Sequence, residues 1–212
     1  MPAKSAARAK SLRALLKEEI ALRDHAEKVA AMRRALPPGD IVKEDYVFDD
    51  GRRKVRLSEL FQRGQNELLV YHFMFAPKDT KPCRMCNMWA DGYDAVAPHV
   101  KDRANFVLVA KAPIAKFQKW GKSRGWKNIR LLSSFGTTFN RDFEAEDADG
   151  DQWPTISVFT KDKKGVVRHQ YQKFALLKSD SYRGIDLLSP VWNLLDLLPS
   201  GRGDWYPSYR YT

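Results

Sequence analysis

Residues 68–77, Leu68-Leu69-Val70-Tyr71-His72-Phe73-Met74-Phe75-Ala76-Pro77, lead through the polar residues 78–82 into Cys83-Arg84-Met85-Cys86. This stretch decides how the rest of the chain is read. Apart from His72 the run up to Phe75 is apolar at successive positions, so both faces of an extended segment would be buried, as in a central strand. From Cys83 onward, Cys86, Met88 or Trp89, Tyr93 and Val96 or Ala97 recur at helical spacing. A helix is therefore predicted to begin close to Cys83. Pro82 fits at that point, because the first amides of a helix have no intrahelical bond to lose.

A cysteine at a helix start meets free backbone N–H groups and the positive end of the helix dipole. Both favour the thiolate over a thiol whose free pKa is about 8.5. Cys83 is then the candidate nucleophile, and Cys86, almost one turn on, the candidate resolving thiol. Arg84 and Lys81 add positive charge near the sulfurs; Asp79 and Asp91 oppose it. Two other readings of the pair stay open: half of a tetrahedral zinc site, which His72 and His99 would have to complete, or two inert core thiols. The chain has no second cysteine pair, which speaks against zinc. Neither a metal nor a cofactor is expected.

A chain of 212 residues and 24.4 kDa is long enough for one domain with an appended arm. Two cysteines exclude a disulfide scaffold. Arg13, Lys17, Glu18 and Glu19 interrupt the N-terminal apolar stretches, so neither a secretory signal nor a membrane span is read. The expected compartment is the cytoplasm, where a paired thiol is more naturally catalytic than structural. A net charge of +11 and a pI near 9.6 bring nucleic acid into view. The basic residues are dispersed, however, and no zinc-finger, helix-turn-helix or ribonucleoprotein signature focuses them, so a nucleic-acid partner is not expected.

Residues 1–40 read as a basic arm, disordered to about residue 12 on composition, followed by an amphipathic helix. Leu12, Leu15, Leu16, Ile20, Leu22, Ala26, Val29 and Met32 form its apolar stripe, and Pro37, Pro38 and Gly39 end it. Such a stripe must pack on something, and a homodimer is the expected arrangement. Residues 41–212 read as the main domain. Asp49-Asp50-Gly51 turns a hairpin between extended segments, Ser58 caps a short helix, and residues 105–110 and 129–132 are strands. Residues 113–120 form a helix closed by Gly121 and Gly125. Glu144, Glu146, Asp147, Asp149 and Asp151 read as a solvated acidic loop, residues 155–160 and 166–171 as a second hairpin. Leucine-rich residues 176–198 predict a C-terminal helix on the sheet, followed by an aromatic tail draped over the surface. The class is α/β, a mixed sheet flanked by helices.

This order of elements resembles the thioredoxin-like fold with the N-terminal hairpin of peroxiredoxins. More closely, residues 44–206 resemble a bacterial thioredoxin-like family of unknown function, DUF899. The resemblance is carried by residues 45–48, Tyr71-His72-Phe73-Met74-Phe75, Cys83 and Cys86 with Trp89-Ala90-Asp91-Gly92, residues 139–143, Ser157-Val158-Phe159, Tyr182-Arg183-Gly184-Ile185-Asp186, and Leu195-Asp196 with Pro199 and Gly201-Arg202. It implies thiol chemistry, and hence a thiol-disulfide oxidoreductase acting on a thiol or disulfide substrate with an external reductant. The broader thioredoxin resemblance implies that Trp153-Pro154-Thr155 forms a cis-proline loop facing the cysteines. Two departures bear on the activity. Arg84 and Met85 stand where thioredoxin has Gly-Pro. A peroxiredoxin has a threonine three residues before its reactive cysteine and a proline seven before; Thr80 meets the first, whereas Ala76 fills the second and Pro77 comes one residue late. A thiol peroxidase is the alternative, with Thr80 supplying a hydroxyl to the attacked oxygens, and a catalytically silent binding domain is the third reading. His72 either reaches the sulfurs as a proton shuttle or is buried and satisfied by a backbone carbonyl.

Overall fold

A computed structural model of the protein describes residues 5–176, 184–185, 188–201 and 203–210, in two compact units, Met1–Gly39 and Asp40–Thr212. Tyr182, Arg183, Asp186 and Arg202 of the sequence signatures lie outside the described residues, as do Leu177 and Leu187 of the expected C-terminal helix.

The first unit is the helix α1, Ala6–Arg34. The Ser5 side chain caps it by accepting from the Arg8 amide at 3.3 Å. Residues 6–12, expected to be disordered, are therefore helical. Ala6, Ala7 and Ala9 carry the highest intrinsic helix propensity, which outweighs a composition poor in packing residues.

The second unit is built on strands β1 (Asp40–Ile41), β2 (Val47–Asp49), β3 (Lys54–Arg56), β4 (Glu67–His72), β5 (Asn105–Ala110), β6 (Arg130–Ser133), β7 (Thr155–Lys161) and β8 (Val167–Phe174). They form one sheet in the order β1-β8-β7-β4-β5-β6-β2-β3. β4 lies inside it, parallel to β5 and antiparallel to β7, with Tyr71 between Leu108 and Ile156. β5 and β6 are also parallel, and every other pairing is antiparallel. The pleat sends successive residues of β4 to opposite layers. Leu68 and Val70 join Val107, Val109, Phe139 and Phe159 in one core. Tyr71, with Phe73 just beyond the strand, joins the other, packed under helices α2 (Arg84–Lys101) and α3 (Ile114–Arg124).

Several local expectations are corrected by tertiary contacts. The chain opens with the expected helix, and the β2–β3 pair forms one margin of the sheet. Ser58 does not cap the 3₁₀ turn Leu57–Leu60; its hydroxyl donates to Asp45 at 2.7 Å instead. Gly121 lies inside α3, which ends at Gly125 with φ of 78°. A Cβ at Gly121 would stand 2.6 Å from the Leu131 side chain, so its role is close packing of α3 against β6. Glu146 of the acidic loop is buried and pairs with Lys111 at 2.8 Å, beyond the short helix α4 (Phe139–Asp142). Among the described residues of the expected C-terminal helix, Pro190–Leu195 form the helix α5, with Ser189 as its cap and Trp192 as its buried residue.

Candidate active site

Beyond β4 the chain keeps its pairing for a few residues: the Phe73 amide donates to Val109 O and the Ala112 amide to Phe75 O, both at 2.8 Å. It then leaves the sheet and returns, and the Cys83 amide donates to Met74 O at 3.1 Å. The loop so closed is held from within and from α3. Asp79 accepts from the Ala76 amide at 2.7 Å, and Lys116 donates to Pro77 O at 2.8 Å and to Asp79 O. Cys83 is the residue that caps α2, with φ −57° and ψ 132°. Asn87, one turn on, donates from its amide side chain to Cys83 O at 2.7 Å and accepts from the Trp120 indole at 2.6 Å. Cys83 is thus anchored to β4 on one side and, through Asn87, to α3 on the other.

Both cysteines are thiols, Cys83 half-buried rather than exposed as a helix-start position suggests, and Cys86 fully buried. The Cys83 pKa is lowered to about 6: the Cys86 thiol contributes most, burial opposes it, and the amides of Cys86 and Met85 and the Arg84 guanidinium assist. Burial and the neighbouring Cys83 push Cys86 well above the ordinary thiol range. At neutral pH Cys83 is a thiolate and Cys86 a thiol. Alkylation of Cys83 by a small uncharged reagent should accordingly rise with pH along a titration centred at about 6 and be flat above it. A midpoint at the free-cysteine value of about 8.5 would contradict this geometry.

Cys83 opens onto a cleft of about 640 Å³, with the buried Cys86 in its wall. Met74, Met85 and Trp89 line it beside the cysteines; Trp153, Pro154, Leu176 and Tyr206 face them; Lys78, Lys81, Asp79 and Asp151 supply its charge. The C-terminal tail forms part of the rim. Tyr209 donates to Pro82 O at 2.6 Å and sets its ring edge-on to Trp120, while the Arg84 guanidinium lies 4.7 Å from the centre of the Tyr206 ring. The aromatic composition of the tail hinted at packing, but not at this address.

Of the residues singled out in the sequence, Cys83, Cys86, Trp153 and Pro154 line one cleft, with Arg84 at its rim. Thr80 is exposed and does not line it. Thr155 is buried, its hydroxyl donating to Lys173 O at 2.9 Å. His72 points into the opposite layer, stacked on Phe139, with Nε2 2.9 Å from the Ser157 hydroxyl; its partner is a side chain, not a backbone carbonyl. Burial pushes its pKa down to about 3, so it is neutral and takes no part at the sulfurs. His99, thirteen residues past Cys86, lies about 20 Å further along α2 at the helical rise. Neither histidine can complete a zinc site with the cysteines. The Trp153–Pro154 bond is trans, as are all peptide bonds among the described residues. The Trp153 amide donates to Ala145 O at 2.9 Å and Pro154 O accepts from the Ala175 amide at 3.2 Å, so Pro154 serves as a strand-start proline whose missing N–H costs nothing.

The residue that sequence reading passed over is Tyr71. It shares the strand with His72 but takes the other face, where its ring meets that of Tyr93 edge-on at 5.0 Å in the core that buries Cys86, and its hydroxyl favours charge on the Cys86 sulfur.

Comparisons with known proteins agree with this architecture. The family model described as "Bacterial protein of unknown function (DUF899)" matches residues 3–211. Among solved structures, a cysteine variant of peroxiredoxin Q from Xanthomonas campestris aligns with a TM-score of 0.52 at 12% identity, over 73% of this chain and 96% of that one. A cysteine variant of PrxQ from Xylella fastidiosa aligns with a TM-score of 0.50 at 13% identity, over 72% and 93%. At these identities the likeness concerns the fold, which is that of the thioredoxin and peroxiredoxin group. No functionally curated protein matches the chain. None of the described helices is long and apolar enough to cross a membrane.

Proposed function

We propose that this chain, which belongs to the bacterial DUF899 family, is a two-cysteine thiol peroxidase-like enzyme. The observation that carries the reading is a thiolate at the start of α2, Cys83, in contact with the buried thiol Cys86 at the wall of a cleft. The Cys83 thiolate attacks one oxygen of a peroxide; the O–O bond breaks, the departing oxygen takes a proton and leaves as water or an alcohol, and Cys83 becomes a sulfenic acid. Cys86 sulfur then displaces the hydroxyl from Cys83. The S–S bond forms, and the Cys86 proton leaves with the hydroxyl as water. Two external thiols, or one dithiol, return two electrons and two protons, leave as a disulfide and restore both protein thiols.

The fold likeness to peroxiredoxin Q supports a peroxide as the electrophile, and the trans Pro154 removes the thioredoxin-style groove expected for a protein disulfide. The first amides of α2 and Arg84, which favour the Cys83 thiolate, would also stabilise negative charge on the departing oxygen; Thr80 does not line the cleft. That exposed Thr80 favours a second reading, direct thiol-disulfide exchange through the same two cysteines. Leu15, Leu16, Ile20, Leu22 and Met32 of α1 are exposed, apolar surface that a homodimer would cover, and a chain with only two cysteines suits a reducing cytoplasm.

Reduced protein mixed in turn with hydrogen peroxide, an alkyl hydroperoxide and a small disulfide separates the readings. The expected result is oxidation by a peroxide far faster than that of free cysteine, ending in the Cys83–Cys86 disulfide, with the small disulfide slower. Faster reaction with the disulfide selects the second reading. Reactivity no greater than that of free cysteine with all three ends both.

A further inference from the structure

The mechanism above leaves Cys86 with a difficulty. It must carry negative charge as it attacks Cys83, and again when a reductant displaces it from the disulfide, yet it is fully buried among Tyr71, Trp89, Tyr93 and other apolar neighbours. Burying a charge without a hydrogen-bond partner is costly. Among the described residues, the groups that favour charge on this sulfur are the Tyr71 hydroxyl and, after it, the Met74 backbone amide. Tyr71 and Tyr93 are buried, their hydroxyls have no aligned hydrogen-bond partner, and their rings meet edge-on at 5.0 Å. A buried phenol that forgoes its hydrogen bond is a cost to stability. Tyr71 and Tyr93 share one buried cluster with Cys86; the Tyr71 hydroxyl is the first group that favours charge on that sulfur, and Tyr93 is not among those groups.

We propose that Tyr71 is a catalytic residue of the second half-reaction: its hydroxyl donates a hydrogen bond to Cys86 Sγ as that sulfur becomes anionic, both when Cys86 displaces the hydroxyl from Cys83 and when an external thiol expels it. The thiol in the resting state is a poor acceptor, in keeping with a buried Tyr71 hydroxyl that has no hydrogen-bond partner; the bond forms with the charge. Burial keeps the phenol protonated, so it is always available as a donor. No proton is transferred from Tyr71, and the atom balance of both steps is unchanged. Tyr93 is a positioning residue whose ring fixes that of Tyr71. This inference rests on the two-cysteine reading, since it assigns a role in closing and opening the disulfide.

The test uses reduced full-length wild type, Tyr71→Phe and Tyr93→Phe with whichever electrophile oxidises the wild type, reading the first adduct on Cys83 and disulfide closure separately. For Tyr71→Phe the first step should be unchanged and closure slowed about ten-fold or more, the effect of losing a hydrogen bond to a charged group. Tyr93→Phe, which keeps the ring, should close at nearly the wild-type rate. Equal closure in wild type and Tyr71→Phe overturns the proposal, as does equal slowing by the two substitutions or equal slowing of both steps. A second measurement does not depend on turnover. In a Cys83→Ser background, the pH at which Cys86 thiolate absorbance appears should rise by about one unit when Tyr71→Phe is added, the same loss expressed as an equilibrium. An unchanged midpoint rejects the proposal even if no electrophile oxidises the wild type, in which case it is the two-cysteine function itself that has separately failed. Tyr71→Phe removes a hydroxyl without an aligned partner, so its thermal unfolding should be no lower than wild type.

Discussion

Cys83→Ser is expected to lower the single-turnover oxidation rate by roughly three orders of magnitude or more, as removal of a nucleophile does elsewhere. A serine hydroxyl at that place is not ionised at neutral pH, and Cys86, buried and held protonated, cannot take over the attack. Cys86→Ser should behave differently: the first adduct forms on Cys83 and then accumulates, as sulfenic acid with peroxide or as a mixed disulfide with a small disulfide, because no second sulfur is present to resolve it. The two residues are also coupled before any reaction, since the Cys86 thiol is the largest cause of the low Cys83 pKa. Cys86→Ser keeps a donor there and should retain much of the effect. Cys86→Ala should move the Cys83 titration upward from about 6 toward the free value. The alkylation profile of each variant by mass spectrometry checks this. Wild-type reactivity in Cys83→Ser would sink the assignment, and with it the reading of α2 as the platform of the reaction.

The largest expected effect on stability lies at Asp94, in the middle of α2. Its buried carboxylate accepts from the amides of Lys127, Asn128 and Ile129 at 3.0, 2.7 and 2.9 Å. These three donors belong to the segment that turns out of α3 into β6, so one carboxylate fixes α2 against the strand that follows α3. Asp94→Ala leaves them without an acceptor in a site water reaches poorly. The loss should be roughly 3–5 kcal/mol, less than three separate penalties because the segment can relax. That corresponds to a fall in Tm on the order of 10 °C for a unit of this size. Asp94→Asn retains an acceptor oxygen and should lose distinctly less. Urea unfolding of the three proteins measures the series; an Asp94→Ala protein within about 1 kcal/mol of wild type would show that the amides find other partners.

Asp94 also marks the boundary of what a sequence can convey. Met88, Trp89, Tyr93 and Ala97 announce the buried side of α2 by their spacing, and Asp94 beside them reads as an ordinary helical carboxylate. Its importance comes from amides thirty-odd positions away that have no distinctive side-chain signature. Glu146 is similar. In a row of acidic residues it reads as surface; Lys111, brought alongside by the fold, together with the Gln152 side-chain amide makes burial of its charge tolerable.

What the sequence determined by itself is what near neighbours in the chain decide. A run apolar on both faces made β4 an internal strand, and the change from an apolar run to helical spacing set the start of α2 at Cys83, hence the difference between the two thiols. Helix propensity, also a local property, made residues 6–12 helical where composition suggested disorder. The tertiary structure alone decided which face of β4 meets the cysteines. Alternation places Tyr71 and His72 on opposite sides, but only the packing of α2 and α3 on one layer and of Phe139 and Phe159 on the other puts Tyr71 beside Cys86 and takes His72 away. It likewise set the trans Pro154 bond between its partners Ala145 and Ala175, and brought Tyr206 and Tyr209 to the rim of the cleft. Periodicity specifies that a side chain is buried; the partner it is buried against follows from strand register and helix docking, which join residues far apart in the chain.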